Sequence, residues 1–232
     1  TETASVSGYG TYTITSGGVW AYTLTDSNSA VQALAASATM SDTFAVTSSD
    51  GGTSQTITIT ITGVNDDATF GGATTGGATE DTSDASGTAT VADTDTDQST
   101  FTAVSTETAS VSGYGTYTIT SGGVWAYTLT DSNSAVQALA ASATMSDTFA
   151  VTSSDGTSQT ITITITGVND AATIAGTTTG GATEDTSDAA GTATVADTDT
   201  GQDSFTAVST ETASVSGYGT YTITSGGVWA YT

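Results

Sequence analysis

Thr56-Ile57-Thr58-Ile59-Thr60-Ile61-Thr62 puts three isoleucines on one side of an extended chain and four threonines on the other. A period of two built from β-branched residues predicts a half-buried strand. The same alternation runs through most of the sequence. Tyr12 and Ile14 alternate with Thr11, Thr13 and Thr15, and Trp20, Tyr22 and Leu24 alternate with Val19, Ala21 and Thr23. Phe44 and Val46 continue the pattern, as do Ala89 and Val91. Ser16-Gly17-Gly18 joins two of these runs, and Asp50-Gly51-Gly52 closes a hairpin between two more. One stretch departs from it. Ser29-Ala30-Val31-Gln32-Ala33-Leu34-Ala35-Ala36 has apolar residues at helical spacing, with Asn28 or Ser29 available as a cap. This predicts a short crossover helix, recurring over Ser134–Ala141.

The pattern is itself repeated. The segment TETASVSGYGTYTITSGGVWAYT starts at Thr1, Thr106 and Thr210, giving a period of 105 and then 104 residues. The difference is one glycine, since Asp50-Gly51-Gly52-Thr53 becomes Asp155-Gly156-Thr157. Solenoid and propeller units repeat every ~20–50 residues, whereas an immunoglobulin-like sandwich takes about 100. Each period holds about seven short strands and one helical turn, enough for two facing sheets. The predicted fold class is therefore all-β, a tandem array of immunoglobulin-like Greek-key β-sandwiches with one short helix per repeat.

Alternation stops at Gly63-Val64-Asn65-Asp66-Asp67 and again at Gly167-Val168-Asn169-Asp170-Ala171. These points divide the chain into the C-terminal part of one repeat (1–66), a complete repeat (67–170) and the N-terminal part of a third (171–232). Each partial repeat would expose half a core. The expectation is that the chain is cut from a longer polypeptide, or that neighbouring copies complete its halves.

Composition narrows the function. The chain has no Lys, Arg or His against 24 acidic residues, a net charge of −24. Nucleic acid is excluded as a partner because phosphate binding runs on Lys and Arg, and anionic membrane surfaces are disfavoured. Hydrophobic residues make up 36% of the chain and alternate regularly, which argues against acidic disorder. Without Cys there is no disulfide or thiolate site. No apolar run is long enough for a membrane span. With no His, Cys or Lys, only carboxylates and hydroxyls remain for acid–base or nucleophilic work, so the chain reads as a non-enzyme.

The acids are not spread evenly. Fifteen of the 24 lie in 66–97 and 170–203, around the two boundaries. The clusters are Asn65-Asp66-Asp67, Glu80-Asp81, Asp84 and Asp93-Thr94-Asp95-Thr96-Asp97, then Asn169-Asp170, Glu184-Asp185, Asp188, Asp197-Thr198-Asp199 and Asp203. Two carboxylates about 4 Å apart repel by ~1 kcal/mol even in water, and no basic side chain offsets this. Carboxylates, an Asn amide and loop carbonyls make an all-oxygen set that suits Ca2+ better than Mg2+ and disfavours zinc. Solvated acidic loops are the plainer alternative. The Asp93–Asp97 triplet lacks the Gly and distal Glu of an EF-hand.

Tyr9-Gly10-Thr11-Tyr12, Val19-Trp20-Ala21-Tyr22-Thr23-Leu24, Ala30-Val31-Gln32-Ala33-Leu34, Asp42-Thr43-Phe44 and Thr58-Ile59-Thr60-Ile61-Thr62-Gly63-Val64-Asn65-Asp66 closely resemble the VCBS repeat found in tandem in large bacterial RTX-type surface adhesins. The resemblance covers essentially the whole chain, although the proline expected after Asn-Asp-Ala is Ala172 here. It implies an extracellular, immunoglobulin- or cadherin-like β-sandwich serving as adhesin stalk, biofilm component or surface fibre at the bacterial cell surface.

The junction is also similar to a cadherin calcium linker. Asn65-Asp66 corresponds to the end-of-domain Asn-Asp, Asp93-Thr94-Asp95 to the Asp-x-Asp of the next domain, and Glu80 to the early glutamate. By that likeness Glu80 faces Asn169, Asp170, Asp197 and Asp199, with Glu184 its counterpart one period on. The mid-domain Asp-x-Glu has no counterpart. The implied Ca2+ ligands are Asn65, Asp66, Glu80, Asp93, Asp95, Asn169, Asp170, Glu184, Asp197 and Asp199.

The expected partners are neighbouring repeats or copies of the same chain, with a surface, host or matrix polysaccharide as a further possibility. Two alternatives stay open: repeats that self-assemble into a filament, and a carbohydrate- or ice-binding face made by Thr56, Thr58, Thr60 and Thr62. Against the last, any half-exposed strand turns threonine outward and isoleucine inward.

Overall fold

The computed structural model describes residues 1–232. From the N-terminus the chain forms β1 (Thr3–Ala4), β2 (Gly10–Ile14), β3 (Trp20–Leu24), the helical turn α1 (Ser29–Gln32), β4 (Thr39–Thr47) and β5 (Ser54–Thr62). The next period gives β6 (Thr69–Gly72), β7 (Thr75–Thr79), β8 (Ala85–Ala92), β9 (Val104–Ala109), β10 (Gly115–Ile119), β11 (Val124–Leu129), α2 (Ser134–Gln137), β12 (Thr144–Thr152) and β13 (Ser158–Thr166). The remainder holds β14 (Thr173–Gly176), β15 (Ala189–Ala196), β16 (Val208–Ala213), β17 (Thr220–Ile223) and β18 (Val228–Tyr231). The architecture is all-β.

Between residues 67 and 170 the strands form a five-stranded sheet, β6-β8-β11-β10-β9, and a three-stranded sheet, β12-β13-β7. Sequence alternation decides which residues lie between them. Ile161, Ile163 and Ile165 of β13 point inward and are fully buried, while Thr160 and Thr164 face solvent. Trp125 and Tyr127 of β11 come from the opposite sheet, and the Trp125 ring meets Phe149 of β12 edge-on at 5.9 Å. Burying each large side chain of this kind is worth about 1.5–3 kcal/mol. The one closed core in the chain, a cluster of 14 buried residues, lies wholly within this segment.

Two expectations need correction. The helix is a single turn, not the eight residues 29–36. Asn28 caps it through its side chain, but Ala33 already ends it. The chain is then drawn back to the sheet: Ser37 takes a left-handed φ of 65° and donates to the Gly63 carbonyl, and Gly63 donates to Ala38. The second correction concerns strand count, which is eight between residues 67 and 170. Alternation does not reveal β7, the Gly-rich Thr75-Gly76-Gly77-Ala78-Thr79. It becomes a strand by pairing parallel to β13, with Thr75 opposite Thr162 and Thr79 opposite Thr166. Glycine is needed at 76 because a Cβ there would lie 2.6 Å from the Trp125 ring.

The flanking segments carry parts of the same design. Residues 1–66 form the sheet β1-β2-β3 and the pair β4-β5; residues 171–232 form the single sheet β14-β15-β18-β17-β16. On the latter, an open apolar concavity of about 540 Å3 is lined by Tyr221, Ile223, Trp229 and Tyr231. In the central segment β12 and β13 cover that face, so the concavity is an uncovered core surface and not a ligand pocket.

Candidate metal-binding junctions

Each junction begins where β5 or β13 ends. At the first, the Asp66 N–H donates to Asp95 Oδ2 at 3.0 Å, and the Asp95 N–H donates to Asp93 Oδ1 at 2.8 Å. The second repeats this: Asp170 N–H to Asp199 Oδ2 at 3.1 Å, Asp199 N–H to Asp197 Oδ1 at 2.9 Å. The end of one segment is thus tied to the Asp-x-Asp loop of the next by a carboxylate that is itself fixed. The helical turn joins in, since Thr96 donates both its N–H (3.1 Å) and its hydroxyl (2.9 Å) to the Ala33 carbonyl. Thr200 N–H donates equivalently to Ala138. The amides of Asn65 and Asn169 turn onto the carbonyls of Asp66 and Asp170.

Glu80 belongs to the second junction. It stands at the end of β7, is 0% exposed, and accepts from the Val168 N–H through Oε2 at 2.9 Å. Burial pushes its pKa above the ordinary glutamate value; the Val168 N–H opposes this, and the charges of Asp170, Asp81 and Asp199 add to the rise. Glu80 is therefore brought beside Asp170 and Asp199. Glu184, its counterpart, is exposed, because residues 179–183 have no strand to pair with. One period before Glu80 lies upstream of Thr1, so the first junction has no such glutamate among the residues described.

The hydrogen-bond inventory singles out the same residues. Five buried side-chain oxygens in the chain lack any partner: Glu80 Oε1, Asp93 Oδ2, Asp95 Oδ1, Asp170 Oδ2 and Asp199 Oδ1. Leaving a buried acceptor unmatched costs about 1–3 kcal/mol, more when it is charged. No three acidic side chains converge closely enough to hold a metal ion by themselves. The chemistry of the donor set fits a hard cation completed by carbonyls and water.

Other acids are spent on backbone. Asp84 Oδ1 accepts from Leu129 N–H at 2.8 Å, and Asp131 Oδ1 from Asp81 N–H at 3.2 Å. Asp97 sits at φ 64° and its counterpart Gly201 at φ 79°. That position is a left-handed turn, which accounts for the exchange of Asp for Gly.

Sequence reasoning missed the most satisfied carboxylate. Asp147 is fully buried in β12 and accepts from the Ser110 and Tyr127 hydroxyls and from the backbone N–H groups of Ser112, Tyr114 and Thr148. Asp42 repeats the arrangement with Ser5, Ser7, Tyr22 and Thr43. The donors lower Asp42 to about 2 against the opposing effect of burial, and Tyr22 rises to about 12, mainly through desolvation. The only signal in the sequence was an acid within an alternating strand.

With this geometry in place, residues 65–167 match the family model described as the bacterial cadherin-like domain. The central segment is thus similar to that family's domain. Over 96% of its length the chain aligns with the crystal structure of the Protocadherin GammaB4 extracellular domain at 12% identity and a TM-score of 0.42, spanning 36% of that chain. No match to a curated protein was found. No helix in the chain is long and apolar enough to cross a membrane.

Proposed function

We propose that the chain is a run of tandem, non-catalytic spacer repeats of a bacterial surface adhesin or fibre, meeting at Asp66/Asp67 and Asp170/Ala171 and stiffened there by Ca2+. Within cadherin-like modules, the motifs quoted above favour the VCBS type. The observation that carries the calcium reading is that every unpartnered buried side-chain oxygen in the chain sits on a junction carboxylate. A divalent cation supplies the positive charge that a protein without Lys, Arg or His lacks. Asn65, Asp66, Asp93 and Asp95 would serve the first junction; Glu80, Asn169, Asp170, Asp197 and Asp199 the second. Glu184 would serve a further junction once its own segment is closed. The ion would relieve repulsion among these groups and hold consecutive repeats in one orientation.

The test is thermal unfolding of the chain by calorimetry, with millimolar Ca2+ and with chelator. Binding to the folded state alone adds about 2.7 kcal/mol when the ion is at a hundred times its Kd, so the melting temperature rises and Glu80→Gln removes part of the rise. A melting temperature that ignores Ca2+ over the whole range overturns the reading.

A further inference from the structure

Two copies of a chain with a net charge of −24 repel wherever their acids approach, so contact between them needs an uncharged surface. The central segment has one. Its exposed acids lie in loops, apart from Glu107 on β9, and Asp147 of β12 is buried in the core. The outer side of the β12-β13-β7 sheet therefore carries no charge, and every residue on it is Thr, Ser, Ala or Gly. Register places Ser146 opposite Thr164 and Thr148 opposite Thr162, with Gly77 and Thr75 of β7 beyond them. β12 and β13 are nine residues each and pair in unbroken register, whereas β9 and β10 of the opposite sheet shift register between Tyr117 and Ile119. The border of the face is uncharged as well. Val111, 78% exposed, is held beside β12 by its N–H on the Thr148 carbonyl at 2.8 Å, and Val6 repeats this on Thr43 at 2.8 Å. Asp147 fixes that loop by accepting from the Ser112 and Tyr114 N–H groups, so a buried carboxylate holds an aliphatic side chain out in water.

A threonine or serine hydroxyl both donates and accepts. Such a face is complementary to itself, as a two-fold contact between identical surfaces requires. It has no aromatic ring on which a sugar could stack, and a charged partner finds no counter-charge on it. We propose that the outer face of β12-β13-β7 is where two copies of this chain pair side by side. Strands at ~3.3 Å per residue and ~4.8 Å apart give roughly 400 Å2 per partner. That is about 800 Å2 in all, short of the ~1,200 Å2 of a stable interface, so one face alone pairs weakly. The β4·β5 pair repeats the face in the same register, and consecutive repeats raise the effective concentration for the next contact. The pairing does not require the ion.

Sedimentation equilibrium of the chain in chelator tests this, with no ion available to bridge the acidic junctions. Raising salt from ~0.1 M to ~1 M shortens the screening length from about 10 Å to about 3 Å. Association through the neutral face then tightens by roughly tenfold or more, the reverse of an interface held by ion pairs. Two forms of equal net charge locate the contact. Thr56→Glu with Thr160→Glu puts one acid on each occurrence of the face; Thr88→Glu with Thr128→Glu puts the same charge on the outer side of the opposite sheet. All four positions are exposed, and thermal melts matching the parent show that both forms fold. Ser54→Glu with Ser158→Glu, at the start of the same two strands, replaces the first form if it melts early. The face form should associate roughly tenfold more weakly than the parent, and the control form should match the parent. A parent that stays monomeric at ~1 M salt overturns the proposal, and its retention on an insoluble neutral glucan would then give the face to a glycan. Equal weakening in both forms overturns it, because added charge alone explains that result. Association that survives in the face form also overturns it, because the contact then runs through another surface, such as the open concavity beside Trp229. Failure of the calcium reading is seen separately, in the calorimetric comparison.

Discussion

Trp20 and Trp125 occupy the same place in the same 23-residue sequence, yet Trp125 is 1% exposed and Trp20 is 44% exposed. Ile119 and Ile14 differ in the same way, at 2% and 43%. Local sequence cannot explain this. In the central segment Trp125 lies between Phe149 on one sheet and β8 beside it, where Gly87 faces it in register. Trp20 keeps the contact with Phe44 but has no strand corresponding to β8 next to it. Glu80 and Glu184 give the same lesson at the junction, since one is buried by a strand pair that the other lacks. Burial in a repeat protein thus belongs to the closed unit, not to the peptide that carries the apolar residue.

The largest expected effect tests that directly. Trp125→Ala should cost about 3–5 kcal/mol, the range for a buried aromatic truncated to alanine, and Trp20→Ala less than half as much. Hydrogen exchange resolved to β11 and β3 reports the two separately, and equal losses would show the two sites to be equally covered in solution.

Next in size is the buried aspartate. Asp147→Ala strips an acceptor from five donors and should cost about 3 kcal/mol, while Asn, which keeps an oxygen, should cost less. Both Asp42 and Asp147 have folded values below the ordinary carboxylate range. Their contribution is therefore complete above the unfolded value near 4 and is lost as pH falls through the folded value. Glu80 has the opposite sign. In chelator its ionisation weakens the fold as pH rises from the unfolded value through the raised folded one. Urea midpoints across acidic pH for the parent, Asp147→Asn and Glu80→Gln separate the two slopes; a pH profile unmoved by either substitution would refute the assignment.

The smallest effect is expected at Asp97. Asp97→Gly should change stability by less than about 1 kcal/mol, because glycine accepts the left-handed turn without penalty, and should leave Ca2+ affinity unchanged in a calorimetric titration. A large loss of affinity would make Asp97 a ligand.

Much of the fold was legible because period-two alternation of β-branched residues against Ile, Tyr and Trp has one low-energy solution, a strand with a wet face and a dry one. The acidic clusters were legible from charge alone, and the calcium role proposed for them came from the family resemblance. β7 was not, because Gly76 and Gly77 have low strand propensity and are held by a partner more than 80 residues away. The helix was overextended because alanine spacing says nothing of the claim Gly63 makes on Ser37 and Ala38. The satisfied state of Asp42 and Asp147 was not legible because most of their donors, such as Ser5 and Tyr22 or Ser110 and Tyr127, lie 20 or more residues away.

By itself, then, the sequence determined the repeat, the strands other than β7, most of the inward residues and the placement of acid at the boundaries, all of which follow from local periodicity and charge. The tertiary structure alone decided which identical residues are buried, which carboxylate oxygens are left without a partner, and which strands meet in parallel across the repeat. Those depend on desolvation and pairing between segments far apart in the chain, and no local pattern encodes them.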